Sequence, residues 1–435
     1  MSPVVIRCQS SAVLVLLVTS LAAPAQTAPQ ADAPLMTLAD CIRKAVAVPS
    51  PISLARRDRE IADRGIVIAR AGFLPNSAAT AGYTYNSPWQ QDRTMTSYVA
   101  LNGIREFIGL ASVFQEIDTS GRLRAEFARA RAQQQATGTS VAIAARDLKR
   151  AVASAYYRLL LARHLTGAMR EVLSESEAFE RRVRLLSSAG EAARADVVKA
   201  SAQAAFLRQT LLSAELAAKL ANQDLAAFWT QDVDVPLNIV DTFEGSLPEP
   251  EGTQAEPAPY LRRLEFRLFE AQRQGLAAQA KAARAVLLPQ LSWTFQYGLD
   301  VNKVAWNNRG YAAFASLQVP IFDWFRARST ARQFDLQAEQ VAETRAISER
   351  RLSQEHRSAL ERVKQFYAQV EVCRSQVELA GEDLKLSRVR YEGGEGPALE
   401  VVVAQNQLAQ ARSNYYASIS NYMNARLDLE VAAGR

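Results

Sequence analysis

The sequence predicts a mainly α-helical chain built as two similar halves, each with one β-hairpin. Three observations carry this. Short motifs recur at a nearly constant offset. Two proline-free stretches, 122–188 and 327–390, keep a helical pattern throughout. Four segments of about ten residues alternate apolar and polar side chains, the period-two signature of strands.

The repeat is explicit. Asp196-Val197-Val198-Lys199-Ala200 returns as Glu400-Val401-Val402-Val403-Ala404, 204 residues later. Leu110-Ala111-Ser112-Val113 returns as Phe314-Ala315-Ser316-Leu317 at the same offset, and Leu74-Pro75 as Leu288-Pro289 at 214. Small indels in a constant offset are the mark of a duplicated unit. Its length, near 200 residues, far exceeds a solenoid repeat of roughly 20–50.

Residues 1–25 read as a secretory signal peptide. Arg7 supplies the basic start, 12–18 the short apolar core, and Ala23-Pro24-Ala25 the cleavage site before Gln26. The mature chain then divides into a first half, 26–229, a proline-bearing acidic linker, 230–256, and a second half, 257–435. No stretch is long and apolar enough for a spanning helix, so contact with a membrane would have to be made by strands.

In the first half, Thr37 is placed to cap a helix running to about Gly72, interrupted at Pro49 and Pro51. Leu74-Pro75-Asn76 ends it. A strand through Ala81, Tyr83 and Tyr85 follows, then a polar loop, Asn86–Asn102, and a return strand, Phe107–Val113. The second half repeats this. A helix after Pro257 and Pro259 runs to Leu287, a strand carries Trp293, Phe295 and Tyr297, and Tyr311–Val319 returns. Ten residues suit a tilted transmembrane strand. Such hairpins would pack on a core in a soluble protein or face lipid in an outer membrane. Four strands cannot close a barrel alone, whereas three chains would supply twelve.

Each proline-free stretch, as one helix, would be on the order of 100 Å long at about 1.5 Å per residue. The second carries heptads: Val363, Val370, Val377 and Leu384 seven apart, with Phe366, Cys373, Ala380 and Ser387 three beyond each. This is coiled-coil spacing. A glycine-bearing turn, 187–191 and 391–397, leads each long helix into another that ends near Trp229 and Val431.

The formal charge is +6. Both signs alternate along helices with no basic block interleaved with aromatics, so a solvated helix surface fits and nucleic acid does not. Cys41 and Cys373 lack CxxC spacing. They would pair in an oxidising compartment, or Cys373 would serve as a small residue at a seam position. His164 and His356 form no ligand cluster. The GxG at Gly394 lacks the strand before it and the GK[ST] after it that a phosphate loop needs. No catalytic pair, metal site or cofactor is expected.

Two local motifs carry a resemblance. Leu317-Gln318-Val319-Pro320-Ile321-Phe322-Asp323 is similar to the strand-to-helix junction L-x-x-P-[IL]-F-D of the TolC-like outer-membrane factor family. Arg388-Val389-Arg390-Tyr391-Glu392-Gly393-Gly394, continuing through Glu400-Val401-Val402-Val403-Ala404-Gln405, resembles its helix tip. The resemblance implies a homotrimer in the bacterial outer membrane, reaching into the periplasm. Twelve strands would form a shared barrel in outer-membrane lipid, above an α-helical tunnel. It implies a passive exit duct of a tripartite efflux or type I secretion system, docked to a periplasmic adaptor (membrane fusion) protein and an inner-membrane pump. It also implies a gate. Tyr391 matches the tip tyrosine that holds the aperture through polar contacts with the neighbouring helix pair. Glu400 matches an acid that narrows the aperture, and Asp196 is its first-half counterpart. TolC itself has a second acid where this chain has Val403 and a linking arginine where it has Gly396. The rival reading is an exported coiled-coil structural or adaptor protein without a pore.

Overall fold

The computed structural model describes residues 35–87, 104–245, 247–250 and 258–434. The expected signal peptide and most of the Asn86–Asn102 loop lie outside the described residues.

The chain opens with α1 (Leu38–Ala47) and α2 (Pro51–Ala71). Thr37 and Asp40 form a capping box at the start of α1, the threonine hydroxyl accepting from the Asp40 N–H at 3.2 Å. Pro51 occupies the first turn of α2, where its missing N–H is not needed. The hairpin β1 (Asn76–Tyr85) and β2 (Arg105–Ile117) follows. Then come α3 (Arg122–Ser188) and α4 (Arg194–Ala226). The second half gives α5 (Leu264–Ala285), β3 (Gln290–Val301), β4 (Gly310–Gln318), α6 (Arg326–Glu392) and α7 (Ala398–Ala432).

Both long helices have 67 residues, on the order of 100 Å each at about 1.5 Å per residue. Two boundaries differ from the sequence expectation. β2 runs past Val113 to Ile117, because 114–117 keep pairing with Thr294–Leu291 of β3. The second-half helix starts later than Pro259. Pro259–Arg262 is a 3-10 turn, and Arg263 stays non-helical at φ −59°, ψ 141°. There the Arg263 guanidinium turns inward to Glu265 at 2.9 Å and Glu355 at 3.0 Å.

The four strands form one antiparallel sheet in the order β1-β2-β3-β4. The β2–β3 pairing joins the halves, with Val113 opposite Phe295 and Leu110 opposite Gly298. β1 and β4 are therefore free edges, and every residue of both is exposed. Below the sheet, each long helix is capped by an aspartate. Asp118 accepts from the N–H groups of Leu123 and Arg124 at 3.0 and 3.1 Å. Asp323 accepts from the Ala327 N–H at 2.8 Å. Burial alone would raise the Asp118 carboxyl, but Arg124 and the two backbone donors hold it below its usual value. The residue before α3 is Gly121 at φ +77°, and the residue before α6 is Phe325 at φ +60° after Trp324 at φ +54°. For side chains this large, a left-handed backbone costs roughly 1–2 kcal/mol per residue.

The helices pack around two apolar cores. The larger binds α1, α2, α3, α4, α6 and α7 through Cys41, Ile52, Tyr156, Leu225, Val363, Val370 and Tyr422. The described part of the segment between the halves, 230–245 and 247–250, is a strap over this core. Leu237, Ile239 and Phe243 are buried in it. Met36 pairs with the strap through Asn238 and Val240 at 2.8 and 3.0 Å. Tyr156 donates to the Val240 carbonyl at 2.6 Å, and Tyr422 donates to the Pro248 carbonyl. His164 stacks between Phe243 and Tyr416 and lies 2.6 Å from Asp241. Cys41 and Cys373 are free and buried, with the Cys41 thiol pushed up to about 11 by burial. The heptad series is largely buried, including Val363, Val370, Cys373, Ala380 and Leu384.

An ion-pair cluster ties α3, α5 and α6 together. Arg146 donates twice to Glu265, at 3.0 and 3.2 Å, and Arg263 bridges Glu265 to Glu355. Burial alone would raise the Glu265 carboxyl, but the two guanidinium groups bring it from 4.5 down to about 2. A depressed folded-state carboxyl stabilises above its unfolded value, and that increment is lost as pH falls through the folded value. The cluster is thus expected to add roughly 3 kcal/mol above pH 4.5, fading towards pH 2. Melting temperature against pH for wild type and Glu265→Gln checks this. The variant should melt lower at pH 7 and show a flatter acid limb.

Candidate functional site

The two helix turns at the far end from the sheet are built alike. Gly190 and Gly394 sit at φ +81° and +74°, where a side chain would be strained. The turn N–H groups close back on the helix: Glu191 to Leu186 and Glu395 to Arg390, both at 2.9 Å. Gly393 needs no such freedom. It is right-handed at φ −78°, as is Ala189 in the first copy at φ −82°. The copies thus share one turn geometry, and the side chains around it differ.

A second apolar core sits at this tip. Val172, Phe179 and Val183 of α3, Ala200 and Leu207 of α4, Leu384 and Tyr391 of α6, and Val401 and Leu408 of α7 close it. The structure brings Tyr391 and Asp196 near each other here. Tyr391 is 8% exposed and meets the Phe179 ring edge-on at 5.2 Å. Its hydroxyl is buried with no hydrogen-bond partner among the described residues. Burial, with Asp196 nearby, pushes the phenol above its ordinary value. Within one chain, the contact with the first helix pair is therefore made by the ring, where the sequence reading expected polar contacts.

The two acids are each paired with a base of their own half. Glu400 lies in the first turn of α7, favoured by the helix dipole. It accepts from Arg390 across the turn at 2.8 Å. Asp196 occupies the first turn of α4, with Lys199 at 3.7 Å. Gly396 leaves room for the Glu400 carboxylate, which a Cβ there would meet at 3.1 Å. Further in, Gln203 and Asn406 exchange two amide hydrogen bonds, at 2.7 and 3.2 Å, joining α4 to α7.

Phe179, Arg390, Lys199 and the Gln203–Asn406 pair were not singled out from sequence. Arg390 sits beside Tyr391 in the tip motif, so its spacing to Glu400 was available. Phe179 and Asn406 meet their partners only once the halves pack. Among the described residues no group of His, Cys, Asp and Glu side chains is placed to hold a metal ion. No described helix is long and apolar enough to cross a membrane.

Known proteins place this architecture. The outer membrane efflux protein family matches residues 51–231 and 260–435. Over 365 residues the chain is 26% identical to the pyoverdine export outer membrane protein OpmQ of Pseudomonas aeruginosa, across 81% of this chain and 75% of that protein. Protein CyaE of Bordetella pertussis is 25% identical over 386 residues, across 84% and 77%. The crystal structure of the outer membrane protein VceC of Vibrio cholerae superposes with a TM-score of 0.78 at 18% identity, over 91% of this chain and 96% of that one. The Campylobacter jejuni CmeC outer membrane channel gives 0.80 at 17%, over 91% and 85%. These structures share the fold, and the family match spans both halves: the chain belongs to the outer membrane efflux protein family.

Proposed function

We propose that three copies of this chain form an exit duct through the bacterial outer membrane. The duct carries cargo passively in a tripartite efflux or type I secretion system. One observation carries the reading. The four-stranded sheet has two free edges with every residue exposed. Unpaired edges of this length are not viable in lipid. Three copies would supply twelve strands and remove every edge by closure. The 67-residue helices would then line a periplasmic tunnel ending at the tips. A periplasmic adaptor and an inner-membrane pump are the partners this reading gives the duct. OpmQ, named for pyoverdine export, supports an export role. Residues 1–25 would be removed on export, leaving 26–229 and 257–435 as the two repeats.

The gate reading assigns Tyr391, Glu400 and Asp196 to the tip aperture. Tyr391 would hold the second helix pair against the first through its ring on Phe179. Truncating a buried ring costs about 3 kcal/mol or more, whereas removing an unpartnered buried hydroxyl costs little. Tyr391→Ala is therefore expected to raise the closed-state conductance of reconstituted protein, and Tyr391→Phe to leave it unchanged. The reverse pattern would return the hold to a polar contact between copies.

Glu400 reads as half of a neutralised pair rather than a bare ring of charge. Removing it uncovers Arg390, so Glu400→Ala should shift ion selectivity towards anions. Arg390→Ala should shift it towards cations. Reversal potentials in a salt gradient check both. Unmoved potentials in both variants would take this pair out of the conducting path.

A further inference from the structure

We propose that the junction between β4 and α6 binds an anionic phospholipid of the periplasmic leaflet through Arg326, Arg328 and Trp324. The proposal rests on the outer-membrane duct and adds a lipid contact at one of its two strand-to-helix junctions. The first and third residues of both long helices are arginines: Arg122 and Arg124 in α3, Arg326 and Arg328 in α6. In the first half, acids neutralise them. Arg122 meets Glu116 at 2.5 Å and Glu126 at 2.6 Å, and Arg124 meets Asp118 at 2.8 Å. In the second half, Pro320, Phe322 and Thr330 stand in place of those three acids, 204 residues on. The acids that remain nearby are committed elsewhere. Asp323 caps α6, Asp335 pairs with Arg284, and Glu339 pairs with Arg332. Among the described residues, Arg326 and Arg328 thus have no acidic partner, and both are exposed.

Apolar surface frames the two arginines. Phe322 packs edge-on against Trp324 and Phe325, at 4.9 and 5.9 Å, so the three rings form one cluster. Trp324 is 84% exposed and Ile321 96%. Leu317 at the end of β4 and Val319 below it, both exposed, lead down to that cluster. β4 has nine residues, about 30 Å of strand, which spans the apolar band of an outer membrane when tilted. α6 runs on from there into the periplasm, so the cluster falls at headgroup level in the periplasmic leaflet. At that depth an indole ring sits between acyl chain and water. A guanidinium fork matches a phosphate diester. Charge complementarity selects the lipid. Two cations without acids suit a headgroup of net charge −1, whereas a zwitterionic headgroup brings a cation of its own.

Full-length protein purified from outer membranes in neutral detergent tests this. It is titrated separately with dioleoylphosphatidylglycerol and dioleoylphosphatidylcholine, and bound lipid is counted by native mass spectrometry. Phosphatidylglycerol should bind more tightly than phosphatidylcholine. Each arginine near an anionic headgroup contributes roughly fivefold. Arg326→Gln with Arg328→Gln should therefore weaken phosphatidylglycerol binding by roughly tenfold or more and leave phosphatidylcholine unchanged. Arg326→Lys with Arg328→Lys should keep most of the binding. Arg124→Gln, at the neutralised junction, should keep all of it. Trp324→Ala should weaken both lipids. Unchanged phosphatidylglycerol binding in the double glutamine variant overturns the site. Equal binding of the two lipids by wild type overturns the charge selection. Displacement of phosphatidylglycerol by inorganic phosphate overturns the lipid as occupant and leaves a free-anion site. Lower trimer melting in Trp324→Ala, with binding of both lipids unchanged, takes the ring from lipid and gives it to a neighbouring copy. Wild-type protein that fails to insert as a trimer into phosphatidylglycerol vesicles overturns the duct reading itself, whereas an inserted trimer that loses only lipid selectivity overturns this site alone.

Discussion

Gly298→Ala is expected to abolish assembly in the outer membrane. Gly298 lies in β3 at φ +153°, opposite Leu110 across the seam that joins the halves. A Cβ there would overlap the Gly109 carbonyl oxygen and lie 2.9 Å from both the Gly109 carbonyl carbon and the Leu110 Cα. All three are backbone atoms, so no side-chain rotation relieves the clash. The strands must separate or the register must slip. A slip by one residue turns every side chain of the strand to the other face. A backbone clash combined with an unfavourable φ belongs among the few substitutions costing about 4 kcal/mol or more. Gly310→Ala is the matched control. Gly310 lies in the same sheet, directly opposite Gly298, and a Cβ there meets nothing within 4 Å. Outer-membrane fractions on unheated gels should show folded protein for Gly310→Ala and almost none for Gly298→Ala.

Tyr156→Ala is the second large effect. Tyr156 is fully buried in the core that binds six helices and the strap. Its hydroxyl satisfies the Val240 carbonyl. Truncation leaves a ring-sized cavity and a buried acceptor without its donor, about 3–5 kcal/mol together. Tyr156→Phe removes the hydrogen bond alone and should cost about 1–3 kcal/mol. Because the strap rests on this ring, the loss should also loosen it locally. Hydrogen exchange at 237–243 should rise in both variants, more in the alanine one. Unchanged exchange would mean that the strap is held by Met36, His164 and Tyr422 without Tyr156.

The long helices were legible because their signals are local and long. Arg122–Ser188 is proline-free and α3 has those same bounds. The heptad positions Val363, Val370 and Leu384 are core positions for the reason their spacing gives. The strap was not legible. Its contacts, Met36 with 238–240 and Tyr156 with Val240, join residues far apart in the chain with no periodic pattern. The ends of β2 and α5 also escaped, because they are fixed by a partner strand and by the Arg263–Glu265 pair.

At the tip, sequence located Tyr391, Glu400 and Asp196 but not their environment. Spacing places a residue on a helix and leaves open which base neutralises it. The duplication itself proved more useful than a family motif at one point. Reading Trp324-Phe325 against Ser120-Gly121 exposes two aromatics where the first copy has a serine and a glycine.

Planar-bilayer recording of the purified full-length protein tests the central reading most directly. A three-copy duct predicts discrete unitary current steps from wild-type protein, enlarged in Tyr391→Ala. Insertion into the bilayer as a heat-resistant trimer with no current steps, in wild type and in Tyr391→Ala alike, would contradict a conducting duct.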